Sequence, residues 1–335
     1  MLALLSGGKA FAAKATPEIS AESACVLCAG RVLYEKAADR RLPMASTTKL
    51  MTAIVALEHC DLEERVDITA EDCAVEGSSM YLRPGDTLSV GQLLKGLLLV
   101  SGNDAAKALA RHTAGSEEAF VALMNKKAAQ LGLNGTHFVN PHGLSDSRHY
   151  SSARDLARLM EYCLQNADFA RICALRSATV KGETLVNHNK LLSSCPGCTG
   201  GKTGYTEAAG RCLVSSCRRN GMALVCVTLA APDDWNDHKK LYDLAFSEFE
   251  LRDVTTGIRF PVPLVSESGD QTYAVAETTY SVPVEKTSEV TLKARLPWFA
   301  FAPVSPGENA GKVTVTVDGE RIGEYDLTYG ERVER

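Results

Sequence analysis

With 335 residues, 45% of them hydrophobic, the chain is long enough to bury a sizeable core and to divide into two domains. Its 41 acidic and 36 basic residues give a formal charge of −5 with no basic block, which argues against nucleic acid as a partner. No run of about twenty apolar residues occurs, so no segment has the composition of a membrane-crossing helix.

Residues 1–15 are small and apolar apart from Lys9 and Lys14, with alanines after Phe11. That composition fits the remnant of a secretory leader or a disordered one, and makes export the expectation. Ser23 to Leu27 and Arg31 to Tyr34 read as strands joined at Ala29-Gly30. A charged link, Glu35 to Arg41, then delivers Ser46-Thr47-Thr48-Lys49. The run behind it, Leu50 to Leu57, is apolar nearly all round, the pattern of a helix buried on every side. Thr69 to Cys73 reads as loop and Leu82 to Leu88 as a short strand region turning at Pro84-Gly85-Asp86. Ser89 is placed to cap a second apolar helix, Val90 to Val100, which ends at Ser101-Gly102-Asn103.

Asp104 to His112 and Glu117 to Leu131 carry apolar positions at helical spacing, and Gly132 closes the second. Asn134 to Tyr150 is a polar loop around Asn140-Pro141-His142-Gly143, a turn signal that makes His142 structural. A helix follows from Ser152 to Gln165. Gly200-Gly201-Lys202-Thr203-Gly204 opens a strand. Arg211 to Cys217 and Met222 to Leu229 alternate on either side of Asn220-Gly221, and Asp233 to Phe249 is a closing helix. Residues 16–250 therefore read as one domain. From 251 to 335 cysteine and helical patterns vanish, short Val/Thr/Glu runs alternate, and Asp318-Gly319 marks a hairpin, which predicts a small β domain.

The eleven cysteines all lie between Cys25 and Cys226. Cys25 and Cys28, three apart on a strand, face opposite sides and are poor partners. Cys195-Pro196-Gly197-Cys198 could close a tight disulfide or supply half of a zinc site. No second close pair and no His-x-x-x-His accompanies it, and free, mostly buried thiols fit as well, so the redox state stays open.

Three pieces stand in order: Ser46-x-x-Lys49, Ser101-Gly102-Asn103 and Lys202-Thr203-Gly204. A serine hydroxyl needs a base within hydrogen-bond reach to act as a nucleophile. In a helix Lys49 falls one turn from Ser46 on the same face, and burial lowers its pKa enough to supply neutral amine. In this chemistry Ser46 attacks a carbonyl and the backbone N–H groups of Ser46 and Tyr205 hold the oxyanion. Ser101 relays a proton to the leaving amine, and Asn103 holds Lys49 and the substrate amide. Lys202 lowers the amine pKa and attracts a carboxylate, Thr203 offers that carboxylate a hydroxyl, and Gly204 permits close backbone approach.

The ordered triple is the set found in class A β-lactamases and penicillin-binding proteins. The wider strings Arg31-Val32-Leu33-Tyr34, Met44-Ala45-Ser46, Ser101-Gly102-Asn103-Asp104-Ala105-Ala106, Phe138-Val139-Asn140-Pro141-His142-Gly143-Leu144 and Gly201-Lys202-Thr203-Gly204-Tyr205-Thr206 narrow it. They resemble the low-molecular-mass penicillin-binding proteins that are serine-type D-alanyl-D-alanine carboxypeptidases, peptidase family S11. The resemblance implies an α/β (α+β) transpeptidase fold of the penicillin-binding-protein and β-lactamase type with a small C-terminal all-β domain. It implies removal of the terminal D-alanine of peptidoglycan stem peptides through a Ser46 acyl-enzyme, acylation by β-lactams, action at the extracytoplasmic face of the envelope, and no metal or organic cofactor.

Two departures are visible. Tyr205 stands where relatives often have histidine, and Gly330 to Arg335 offers no apolar face of the kind with which such proteins associate with a membrane. His188, in Asn187-His188-Asn189-Lys190, is a candidate for lining the site. The rivals are a β-lactamase-like hydrolase, for whose deacylating carboxylate the nearest pattern is Glu161 in a surface helix, and a non-catalytic cell-wall binding protein.

Overall fold

The computed structural model describes residues 17–265 and 271–333, so the expected leader, residues 1–15, lies outside the described residues. The first hairpin pairs β1 (Ser23–Cys28) with β2 (Arg31–Lys36). A short 3₁₀ turn, Ala45–Thr48, carries Ser46 and runs into α1 (Lys49–His59), whose residues Lys49 to Ala56 are all buried. The helix is thus enclosed on every side along its first two turns, as its apolar pattern requires.

Next, β3 (Arg65–Asp67) is followed by α2 (Ala70–Cys73) and by β4 (Thr87–Ser89), which pairs with β3. Thr69 to Cys73 is therefore a helical turn and not a loop. Its cause is a reciprocal cap in which the Thr69 side chain accepts from the Asp72 N–H while the Asp72 carboxylate accepts from the Thr69 N–H. Ser89 makes the same reciprocal cap with Gln92 at the start of α3 (Val90–Leu99). Helices α4 (Asn103–Ala114), α5 (Glu117–Gln130) and α6 (Ala153–Cys163) fall where helical spacing predicts them.

Sequence reading left the stretch after α6 unassigned; it forms α7 (Ala167–Cys173), the hairpin β5 (Ser177–Val180) and β6 (Glu183–Val186), and α8 (Leu191–Ser194). Then come β7 (Cys198–Thr206), β8 (Gly210–Arg219), β9 (Met222–Leu229) and α9 (Asp234–Glu248). Lys202-Thr203-Gly204 sits inside β7, not at the opening of a strand.

The central sheet has the order β2-β1-β9-β8-β7, with β7 at a free edge. Alternation buries both of its faces. Cys25, Leu27, Val225 and Val227 join the larger core with α1, α3, α4 and α6, while Ala24, Val26, Leu224 and Cys226 pack on Leu241, Tyr242 and Ala245 of α9. Cys25 and Cys28 accordingly face opposite sides, and all eleven cysteines, Cys195 and Cys198 included, are free thiols.

Beyond α9 the regular elements among the described residues are all strands: β10 (Phe249–Asp253), β11 (Arg259–Val265), β12 (Gln271–Val275), β13 (Ser281–Glu285), β14 (Val290–Arg295), β15 (Ala300–Phe301), β16 (Asn309–Val317) and β17 (Glu320–Tyr329). Six of them form a sheet in the order β14-β16-β17-β12-β11-β15, and β10 pairs with β13. The result is a mixed α/β body followed by an all-β part with its own apolar clusters.

Candidate active site

The 3₁₀ turn holding Ser46 is fixed by its own threonines. Thr47 Oγ1 donates to the Met44 carbonyl at 2.6 Å, and Thr48 Oγ1 donates to the Ala45 carbonyl at 2.8 Å. Ala45 takes a φ of +47°, a left-handed conformation that a non-glycine residue holds only when its surroundings impose it. Gly143 lies against it with φ +93°, where a Cβ would stand 2.1 Å from the Ala45 carbonyl oxygen. The 140–143 turn is thus seated directly on the serine.

Lys49, the first residue of α1, is fully buried. Its Nζ lies 2.9 Å from Ser46 Oγ, 2.7 Å from Asn103 Oδ1 and 2.6 Å from the carbonyl oxygen of His142. Burial holds the Lys49 amine well below its ordinary pKa, and the positive charge of Lys202 lowers it further. Asn103, at the start of α4, is itself held, its Nδ2 donating to the Glu76 carbonyl at 2.6 Å and its N–H to the Ser78 carbonyl at 2.7 Å. The neighbouring Asp104 keeps that 76–82 segment in place by accepting from the N–H groups of Met80 and Leu82, both at 3.0 Å. Ser101 has φ +63°, and its buried hydroxyl has no hydrogen-bond partner among the described residues.

On the opposite wall Lys202 is buried, its Nζ donating to the Thr203 carbonyl at 2.7 Å, and burial pushes its pKa down to about 7. Gly201 donates its N–H to Cys173 Sγ and accepts from that thiol, so its peptide groups point away from β8. By the alternation of an antiparallel ladder, the N–H and C=O of Thr203 and Tyr205 point the same way, off the free edge of β7. A Cβ on Gly204 would meet the Ser46 nitrogen at 3.0 Å and the Met44 oxygen at 3.2 Å, so only glycine lets β7 approach the serine turn this closely.

These groups border a cleft of about 360 Å³ whose lining includes Ser46, Ser101, His188, Lys190, Thr203, Gly204, Tyr205, Arg211, Asp234 and Trp235. The Tyr205 side chain is largely exposed. Glu161 is elsewhere, accepting from the Gly30 N–H at 3.0 Å.

Sequence reading missed two contributors. His142 supplies a backbone carbonyl to Lys49, a role independent of its side chain. Arg211, the cross-strand neighbour of Tyr205, is held by bonds from Nε (3.0 Å) and Nη2 (2.8 Å) to Asp234 Oδ1 and lies 5.6 Å over the Trp235 ring. Its only advance signal was a lone arginine alternating with apolar residues at the start of β8.

The sequence matches the family model described as D-alanyl-D-alanine carboxypeptidase, peptidase S11, over residues 9–233, and the model for the C-terminal domain of penicillin-binding protein 5 over residues 264–335. A D-alanyl-D-alanine carboxypeptidase of Bacillus subtilis is 33% identical, over 91% of this chain and 83% of its own length. One from Escherichia coli is 34% identical over 97% and 88%. Among solved structures, penicillin-binding protein 5 of Haemophilus influenzae superposes with a TM-score of 0.80 at 29% identity, covering 96% of this chain and 99% of that one. PBP3 of Streptococcus pneumoniae, described as a peptidoglycan synthesis regulatory factor, gives 0.82 at 26% identity over 95% and 100%.

Proposed function

The chain belongs to the D-alanyl-D-alanine carboxypeptidase family, and from that premise we propose how its residues cleave the terminal D-alanyl-D-alanine bond of peptidoglycan stem peptides. Ser46 is the nucleophile and Lys49 its base. The observation that carries this reading is the set of three oxygens around the buried Lys49 Nζ. A neutral amine has two N–H donors and one lone pair. The Asn103 and His142 oxygens can only accept, so they take both donors, and the lone pair is left for the Ser46 hydroxyl proton.

Attack of Ser46 Oγ on the penultimate D-alanine carbonyl forms the acyl-enzyme and releases D-alanine; water then hydrolyses the ester. The oxyanion is stabilised by the N–H groups of Ser46 and Tyr205, a reading supported by the outward alternation of β7. Ser101, whose hydroxyl is otherwise unpartnered, passes a proton to the leaving amine. Buried Lys202 acts through its field, lowering the Lys49 pKa. The substrate carboxylate is received by Thr203 and by Arg211, a partly exposed cation that lines the cleft, as the exposed Lys190 also does. His188 lines the same cleft near the substrate.

Peptidoglycan lies outside the cytoplasm, so the enzyme acts on the extracytoplasmic face after export, and β-lactams, which present a strained amide to the same serine, acylate it. D-alanine release from a Lys-D-Ala-D-Ala peptide by the purified protein, absent with Ser46→Ala, tests the reading. Release that persists in the variant, or no release from folded wild-type protein, overturns it.

A further inference from the structure

The helices that start at Lys49 and Asn103 run side by side, and their far ends meet at a second group of chemically active side chains. Cys60 is the C-terminal cap of α1, His112 lies in the last turn of α4, and Glu64 comes from the loop between α1 and β3. One ligand atom from each lies within 4.8 Å of the others, and among the described residues it is the one cluster of three such groups. His112 Nε2 is 3.0 Å from Glu64 Oε2. The other Glu64 oxygen is occupied by the Asp61 N–H at 2.6 Å, which orients the carboxylate. The loop is pinned at both sides, with the Val90 N–H on the Glu64 carbonyl at 2.9 Å and the Gly91 N–H on the Leu62 carbonyl at 2.8 Å. Cys60 Sγ has a weak partner, Thr113 Oγ1 at 3.5 Å.

We propose that Cys60, Glu64 and His112 bind a zinc ion, or a divalent cation of similar softness, that ties the ends of α1 and α4 together. Thiolate, imidazole and carboxylate are the three ligand types that zinc combines, and with all three ligand atoms within 4.8 Å of one another a small side-chain adjustment would bring them around one ion with a fourth position left to water. Two helix C-termini add to the case. Their aligned carbonyls leave partial negative charge at the ends of α1 and α4, which favours a cation there. The site is remote from the serine. Its consequence is mechanical, since the ion would clamp the ends of the two helices whose opposite ends position Lys49 and Asn103.

The test uses the full chain, freed of metal by a chelator and kept reduced with a phosphine. Zinc is titrated against a chromophoric competitor, and cobalt is added separately to read thiolate coordination by its charge-transfer band. One equivalent of zinc is expected. Its affinity should fall by more than about tenfold, the loss that even supporting partners of a metal site produce, in Cys60→Ser, in His112→Ala and in the surface exchange Glu64→Gln. Cys195→Ser with Cys198→Ser should bind as the parent does. The cobalt charge-transfer band should vanish in Cys60→Ser, and zinc should raise the melting temperature of the parent but not of the three variants. Glu64→Gln keeps the test decisive if a buried exchange unfolds the chain. No zinc uptake by the parent, or uptake unchanged by these exchanges, overturns the proposal.

Discussion

Lys49 Nζ and the carbonyl oxygen of His142 lie 2.6 Å apart, which places the base of one helix under the control of a turn 93 residues further along. With Asn103 Oδ1 as second acceptor, this contact orients the amine toward Ser46. Exchange of Lys49 for methionine keeps the length and removes the buried charge, so folding should survive. D-alanine release should fall by about 10²–10⁴-fold in kcat/KM, the range of a positioned general base. Activity within tenfold of the parent, with an unchanged melting temperature, would show that Lys49 is not the base.

The pH dependence of acylation follows from the same amine. Burial and then the Lys202 charge hold Lys49 well below its ordinary value, and Lys202 is pushed to about 7 by burial. The Lys202 charge therefore bears on the titration of Lys49. Neutral Lys49 is the active form, so the acylation rate should rise with pH along a limb well below that of a solvated lysine. Lys202→Met removes one cation and should move the limb to higher pH. Rates with a fluorescent penicillin between about pH 5 and pH 10 read this directly, and a limb that stays in place or moves toward acid contradicts the coupling.

Three buried histidines make the fold lose stability toward acid. Burial holds His142 and His238 down to about 3 and His149 to about 4, with the Lys49 charge a further cause for His142. Unfolded histidine titrates near 6.5, so the unfolded chain takes up protons first as pH drops. The stability these groups contribute is full above about 6.5 and is lost as pH falls toward their folded values, by about 1.4 kcal/mol per unit for each group. Urea midpoints should therefore drop between about pH 7 and pH 5, and an equal or higher midpoint at the lower pH would refute this account.

How much of this was legible depends on where each role is carried. The Lys49 helix, the Ser89 cap and the two-faced alternation of β1 were written in residue types, because burial and capping select them directly. The apolar run behind Lys49 predicts its burial, but its complete enclosure depends on the 140–143 turn covering it, a contact between distant segments that no local pattern encodes. His142 escaped for a related reason, as a carbonyl oxygen is the same in every residue. Residues 166–194 escaped although Asn166 caps α7 and Lys181-Gly182 turns the β5–β6 hairpin, since those elements are short and half exposed and their periodicity is weak.

Gly143 offers a test of that turn without touching a catalytic side chain. Its φ of +93° and the Ala45 oxygen 2.1 Å from a would-be Cβ leave no room for alanine. Gly143→Ala should cost about 1–3 kcal/mol through backbone strain and displace the Ala45-Ser46 backbone, so that penicillin acylation slows by more than about tenfold in protein that remains folded. Parent-like acylation would mean that the serine turn is not seated on Gly143.

Arg211 separates substrate recognition from structural pairing. If its guanidinium receives the substrate carboxylate, Arg211→Gln should raise KM by about 10- to 100-fold with a smaller change in kcat, the scale of a lost charged hydrogen bond. The exchange also strands Asp234, which is buried and whose carboxyl burial already raises above its ordinary value. The double exchange Arg211→Gln with Asp234→Asn removes both charges and should recover the melting temperature while KM stays high. Recovery of KM in the double variant would assign Arg211 to the ion pair alone and leave the carboxylate to Thr203 and the field of Lys202.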